Sequence, residues 1–217
     1  MENLKVNKQR ILRLRREHHL LVPPNLRLQA RRTAMRHTPK PARPHEWWGI
    51  EMTKVMGEGF GWGSIVVILD WYTKKLVGSY AGMPCAARHW LAALDMAVNR
   101  QCSAGARGQG LSLLRDHGCQ PTAAAFMRAG ATLQMHQAFT SDHNPKGNAD
   151  TERVMRTLKE AWLWLREWTG PFELSTALEA WMITYHEQSL HSALGDNTPK
   201  PFEQDYYSSP SPPFLAA

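Results

Sequence analysis

Cysteine is scarce. Only Cys85, Cys102 and Cys119 occur, an odd number without a C-x-x-C pair. A disulfide framework and a zinc ribbon are thereby excluded, and a reducing compartment fits. Long apolar runs are missing too: they reach five residues, as in Ile65–Leu69, against the roughly 20 that a membrane helix needs. No charged-then-apolar leader opens the chain, because Met1–Arg16 is studded with Arg and Lys. These absences point to a cytoplasmic protein without membrane contact. Acidic residues are also rare in residues 1–46, where 12 Lys and Arg face only Glu2, Glu17 and Glu46, a net +9. The remaining 171 residues carry a net −2. A basic arm on a near-neutral body is the electrostatic footprint of a polyanion binder, most often nucleic acid; the plainer alternative is a solvated leader.

What is present suffices for one full-sized core, since 43% of the 217 residues are hydrophobic. Residues 7–21 read as a short helix with Ile11 and Leu14 on one side and Arg10, Arg13 and Arg16 on the other. Val22-Pro23-Pro24 stops it. Residues 23–46 hold five of the 14 prolines and read as a basic, extended linker able to track a phosphate backbone.

From Trp47 the pattern changes. WWGIEMTKV, WGSIVVILD and KLVGSYAG are three strand-like runs, and the short links GEGFG and WYTK favour antiparallel hairpins. A helix follows over 86–100, then a short buried strand over 111–116, a helix over 122–131 and a strand over 133–139. A polar loop leads into a long helix expected from about Ala149 to Trp168, with an apolar stripe of Val154, Leu158, Ala161 or Trp162, and Leu165. Pro171 opens a further helix, at the position where Pro is tolerated. The expected fold is a mixed α/β sheet of five strands, three antiparallel and then alternating with helices, with helices on both faces and a basic helical arm in front.

Several familiar signals carry no chemistry. Gly57–Gly61 precedes a strand rather than opening a helix, so it reads as a hairpin turn and not a phosphate cradle. The stronger candidates are acidic. Asp116 ends a short buried strand, where a carboxylate is expensive unless it meets a cation or caps something. Glu152 falls in the first turn of the long helix, where an acid also favours the positive end of the helix dipole. Glu51 lies inside the first strand, on the face of Gly49 and Thr53. Converging at one sheet edge, the three carboxylates would repel one another, and Mg²⁺ or Mn²⁺ resolves this because hard cations take oxygen ligands. A two-metal site of that kind serves phosphoryl transfer. Arg156 and Lys159 follow Glu152 at i+4 and i+7, on the same helix face, and could hold a DNA backbone; the alternative is a solvated basic face. Pairing Glu51 near Val67 across the hairpin puts Asp70 on the opposite face, which removes it as a substitute.

Thirty-five residues separate Asp116 from Glu152, and sixty-four separate Glu51 from Asp116. Together with WWGIEMTKV, VILDWYTKKLVG, LRDHGCQPT, NPKGNADTERVMRTLKE and YHEQSLHSALGDNTPKPFE, this resembles the retroviral-integrase-like core of bacterial insertion-sequence transposases. It is most similar to the second reading frame of the group whose two frames are joined by programmed frameshifting, and the resemblance spans about residues 5–205. The resemblance implies a ribonuclease-H-like core over 47–205, a truncated end of a DNA-binding helical region over 1–22, the linker over 23–46 and a disordered tail over 206–217. It implies a metal-dependent transposase that frees a 3′-OH at transposon ends and directs it at a second phosphodiester. Glu51, Asp116 and Glu152 would be the catalytic metal ligands, for two Mg²⁺ or Mn²⁺ ions. Arg10, Arg13, Arg156 and Lys159 would contact double-stranded DNA. A homodimer or larger assembly on DNA is implied, with the product of an upstream reading frame as a further partner and the bacterial nucleoid as the location.

Three departures stand against the family pattern. Its first acid is Asp, where this chain has Glu51; the extra methylene moves the carboxylate by about 1 Å, and misplacements of that order cost about 10²-fold in rate. Arg115 and His117 flank the second acid where small or amide residues are usual, and His186 stands in place of an Asn. One helix before the linker cannot make a helix-turn-helix. The first and third departures favour a different reading, a catalytically disabled or truncated copy that only binds DNA.

Overall fold

The computed structural model describes residues 7–18, 34–35, 39–83, 86–115, 124–140 and 148–209. The chain divides into two units, Met1–Arg31 and Arg32–Ala217. The first holds helix α1 (Lys8–Glu17), whose N-cap Asn7 accepts a hydrogen bond from the Gln9 amide at 2.9 Å. Side chains from Gln9 to His18 are all exposed.

In the second unit, β2 (Trp47–Gly57) and β3 (Gly61–Asp70) form the expected hairpin. Gly59 and Gly61 supply the positive φ (+80° and +74°) that the turn requires, where a Cβ would be strained. The register pairs Glu51 with Val67, as the short turn predicts. Antiparallel β4 (Leu76–Gly82) completes a meander. Helix α2 (Ala87–Gln101) then returns the chain to β5 (Ser112–Arg115), parallel to β2, and α3 (Ala124–Thr132) leads to β6 (His136–Thr140), parallel to β5. These are the five expected strands in a mixed sheet.

A sixth strand was not foreseen. Strand β1 (Ala34–Met35) pairs in parallel with Phe139 and Thr140 at the sheet edge, giving the order β1-β6-β5-β2-β3-β4. The segment read as an extended linker therefore contributes to the sheet, and Pro41 and Pro44 are buried against the body. Two residues are too few to leave an alternation signal.

Alternation on β2 and β3 divides the interior into two cores. Trp48, Ile50, Val66 and Ile68 face α2 and α3. Val55, Ile65, Val67 and Leu69 face the opposite layer, built from α4 (Ala149–Ala161) and α5 (Pro171–Gln188). Strand β3 is apolar on both sides because both its faces are buried.

The long helix expected to reach Trp168 stops at Ala161. The backbone breaks at Trp162 (φ −148°, ψ −57°), and Leu163–Leu165 form a 3-10 turn. Trp168 folds back, 1% exposed, and its indole N–H donates to the Leu163 carbonyl at 3.0 Å. Burying both Leu163 and Trp168 in one core is incompatible with a straight helix, so Leu165, read as part of the stripe, is 71% exposed. The final helix α6 (Pro199–Ser208) runs three residues into the segment read as a disordered tail, because Tyr206 packs edge-on against Tyr72 at 5.3 Å. Residues 210–217 lie outside the described residues. No described helix is long and apolar enough to cross a membrane.

Candidate active site

Close approach of α4 to the sheet sets the site. A Cβ at Gly49 would lie 2.0 Å from Thr151 Oγ1 and 2.4 Å from Trp71 Nε1, so only glycine lets the first turn of α4 rest on β2. Trp71 Nε1 donates to Thr151 Oγ1 at 2.9 Å. Buried Lys74, 2.8 Å from both the Trp71 carbonyl and Asp150 Oδ2, ties the same turn to the β3–β4 connection.

Asn148, the N-cap of α4, does not cap its own helix. Its Nδ2 instead donates to Glu51 Oε2 at 2.9 Å, while its Oδ1 is buried with no hydrogen-bond partner among the described residues. The amide thus fixes the direction of the Glu51 carboxylate. One turn into α4, Glu152 is exposed. Glu51 and Glu152 line one open cavity of about 490 Å³, together with Arg156 and Lys159. The expected alignment of acid and base along one face of α4 is therefore present. Oxygen atoms are the only donors the two acids offer, which suits a hard divalent cation.

Asp116 and His117 lie outside the described residues; β5 ends at Arg115, one residue earlier. Among the described residues no three His, Cys, Asp or Glu side chains are grouped closely enough to hold a metal ion. Arg10 and Arg13 belong to the first unit, where they line a separate cavity with Asn7 and Gln9.

The unusual neighbours of the site have structural work. Arg115 is fully buried on the α3 side of β5, its guanidinium 4.9 Å from the Phe126 ring and 4.7 Å from the Phe139 ring, and it donates to Gln137 Oε1. His186 accepts the Leu76 backbone N–H through Nε2 at 3.0 Å. Burial, helped by nearby Lys75, pushes its pKa down to about 4, so the ring is neutral at pH 7. Asp70, on the opposite face from Glu51, is fully buried and accepts hydrogen bonds from the backbone of His45, Tyr72 and Thr73. Burial raises its pKa, but the bonds from His45 and Thr73 outweigh that and hold it below the usual carboxylate range.

Sequence reasoning missed Asn148, Thr151 and Trp164 as neighbours of the site. Asn148 carries an N-cap signal, but nothing in that signal shows that the amide serves another strand.

Residues 133–199 match a family model described as an integrase core domain. No curated protein sequence matches the chain. Among solved structures, the fold is similar to a chain of the simian T-cell lymphotropic virus intasome in complex with a PP2A regulatory subunit, at TM-score 0.63 and 15% identity over 83% of this chain. This chain spans 61% of that one. It is also similar to the catalytic core domain of BIV integrase (TM-score 0.54, 16% identity, 76% of this chain and 97% of that one). A third likeness is to the HTLV-2 integrase catalytic core in complex with magnesium (TM-score 0.51, 13% identity, 72% and 94%). The fold is that of an RNase-H-like integrase core.

Proposed function

We propose that this integrase-core chain is a transposase catalytic protein, cleaving and joining DNA at transposon ends by metal-dependent phosphoryl transfer. The observation that carries the reading is the meeting of Glu51 and Glu152, from a strand and a helix, in one cavity with Arg156 and Lys159. Asp116 would be the third ligand: Leu114, two residues before it in the sequence, pairs with Gly49, two residues before Glu51. Mg²⁺ or Mn²⁺ held by the three carboxylates would supply Lewis-acid activation of the attacking and leaving oxygens.

The chain's own groups do the rest. Asn148 holds Glu51 in one orientation, so less reorganisation is needed when a cation arrives. Arg156 and Lys159 neutralise backbone phosphates beside the acids. Arg10 and Arg13 add phosphate contacts from the basic arm. Two ends must meet for joining, which calls for a dimer or larger assembly on DNA, with the product of an upstream reading frame as a further partner, in the bacterial nucleoid.

A second reading, a copy that binds DNA without chemistry, is favoured by Glu51 standing where the family pattern has Asp. Manganese titration of the full chain followed by electron paramagnetic resonance separates the two. The first reading predicts binding that weakens tenfold or more in Asp116→Asn and in Glu152→Gln. Equal binding by all three proteins would contradict it, and binding restored only in Glu51→Asp would favour the second.

A further inference from the structure

We propose that Trp164 is a stacking platform for an unpaired nucleobase of the DNA strand held at the acidic cavity, a role that rests on reading that cavity as a phosphodiester site. Trp164 lines the same cavity as Glu51, Glu152, Arg156 and Lys159. All nine tryptophans are described, and only Trp62 and Trp164 are more than half exposed, at 59% and 67%. Trp62 sits near the tip of the β2–β3 hairpin, whereas Trp164 lines the cavity that holds Arg156 and Lys159 beside the two acids.

The indole is held outward by the backbone. Leu163 is buried, its carbonyl is engaged by Trp168 Nε1, and Trp162 stacks inward on Trp181 at 5.8 Å between ring centroids. The break after Ala161 therefore leaves Trp164 at the cavity while Leu163 and Trp168 are buried in the core. An indole has only two side-chain torsions, so it loses little freedom when a flat ring stacks on it.

The chemistry of the cavity wall says what kind of ring. Arg156 and Lys159 suit phosphates, whereas Glu160, which also lines the cavity, repels them. A neutral planar base suits the indole, with its phosphate meeting Arg156 and Lys159. Every base has a π-face, so stacking tolerates any sequence. Nine residue steps of helix separate Glu152 from Ala161, roughly 14 Å at 1.5 Å per residue, or about four nucleotides of a stacked strand. The stacked base therefore belongs a few nucleotides from the reactive phosphodiester.

The test uses the full chain and oligonucleotides carrying 2-aminopurine at each of the first eight positions of a frayed or single-stranded end. Stacking predicts a several-fold loss of fluorescence at one or two adjacent positions, retained in Trp164→Phe and lost in Trp164→Ala. Single-strand affinity should fall about five- to hundredfold in Trp164→Ala, with fully paired duplex affinity much less affected. The exposed position lets each variant fold, which thermal melting checks, and Trp164→Leu separates aromatic stacking from plain apolar contact. Wild-type quenching and affinity in Trp164→Ala, or equal behaviour of the Leu and Phe variants, would overturn the proposal. So would the absence of quenching in the wild type. A joining assay on the same ends keeps the two readings apart: quenching that persists without any end joining by the wild type would sustain the platform and sink the catalytic reading. Joining that is indifferent to Trp164 would do the reverse.

Discussion

His186 shows how a single residue can depart from a family pattern and still serve the fold. Its Nε2 accepts the Leu76 amide, a role that an Asn side-chain oxygen can also fill. The folded-state pKa of about 4 lies below the ordinary 6.5, so between these values the unfolded chain binds the proton more readily. The stability contributed by the neutral ring is complete above pH 6.5 and is lost as pH falls towards 4, by about 3 kcal/mol. His186→Asn should flatten the pH dependence of urea denaturation in that window. An unchanged acid slope in the variant would place the acid sensitivity elsewhere. Asn148 belongs to the same scale: its amide is spent on Glu51 rather than on its own helix, a choice that spacing along the chain cannot reveal.

At the scale of elements, the decisive contact is α4 on β2 through Gly49. Adding one methyl there places it against Thr151 Oγ1 and Trp71 Nε1, which already bond each other. Gly49→Ala should cost about 2 kcal/mol or more, as overpacking of a filled site does, and should loosen the Glu51–Glu152 geometry. Thr151→Ala should cost less in the Gly49→Ala background than in the wild type, since it removes the nearest clashing atom. Simple additivity of the two losses in denaturant titrations would mean that the sheet moves instead.

The strands were legible because β-branched and aromatic runs alternate or are wholly apolar between turn residues, and the five-residue GEGFG link left little freedom in register. The end of α4 was not, because AWLWL is apolar on every side of a helix and carries no stop signal. Nor was β1, which exists only because β6 offers an edge. Of the site, Glu51, Glu152, Arg156 and Lys159 were legible from face and spacing, while Asn148 and Trp164 depend on tertiary turns that local pattern does not encode.

For the whole molecule, charge is divided as sharply as fold. Residues 1–31 carry eight of the 26 Lys and Arg, and the second unit begins at Arg32. Removing residues 1–31 leaves β1 and its pairing in place, and should weaken DNA binding while flattening its dependence on salt. If most of those eight side chains meet phosphates, the slope of log affinity against log salt should shrink by about 5. An unchanged slope would mean that the arm is a solvated leader.

We propose that the cavity between β2 and α4 performs strand transfer. Its most direct test is a joining assay on labelled duplex ends, beginning with sequences that flank the gene, in Mg²⁺ and in Mn²⁺. The comparison is between the wild-type chain, Glu51→Asp and Glu152→Gln. The wild type should join the ends, Glu51→Asp should join them equally fast or faster, and Glu152→Gln should lose at least a hundredfold. Joining that survives Glu152→Gln at the wild-type rate would contradict the proposal.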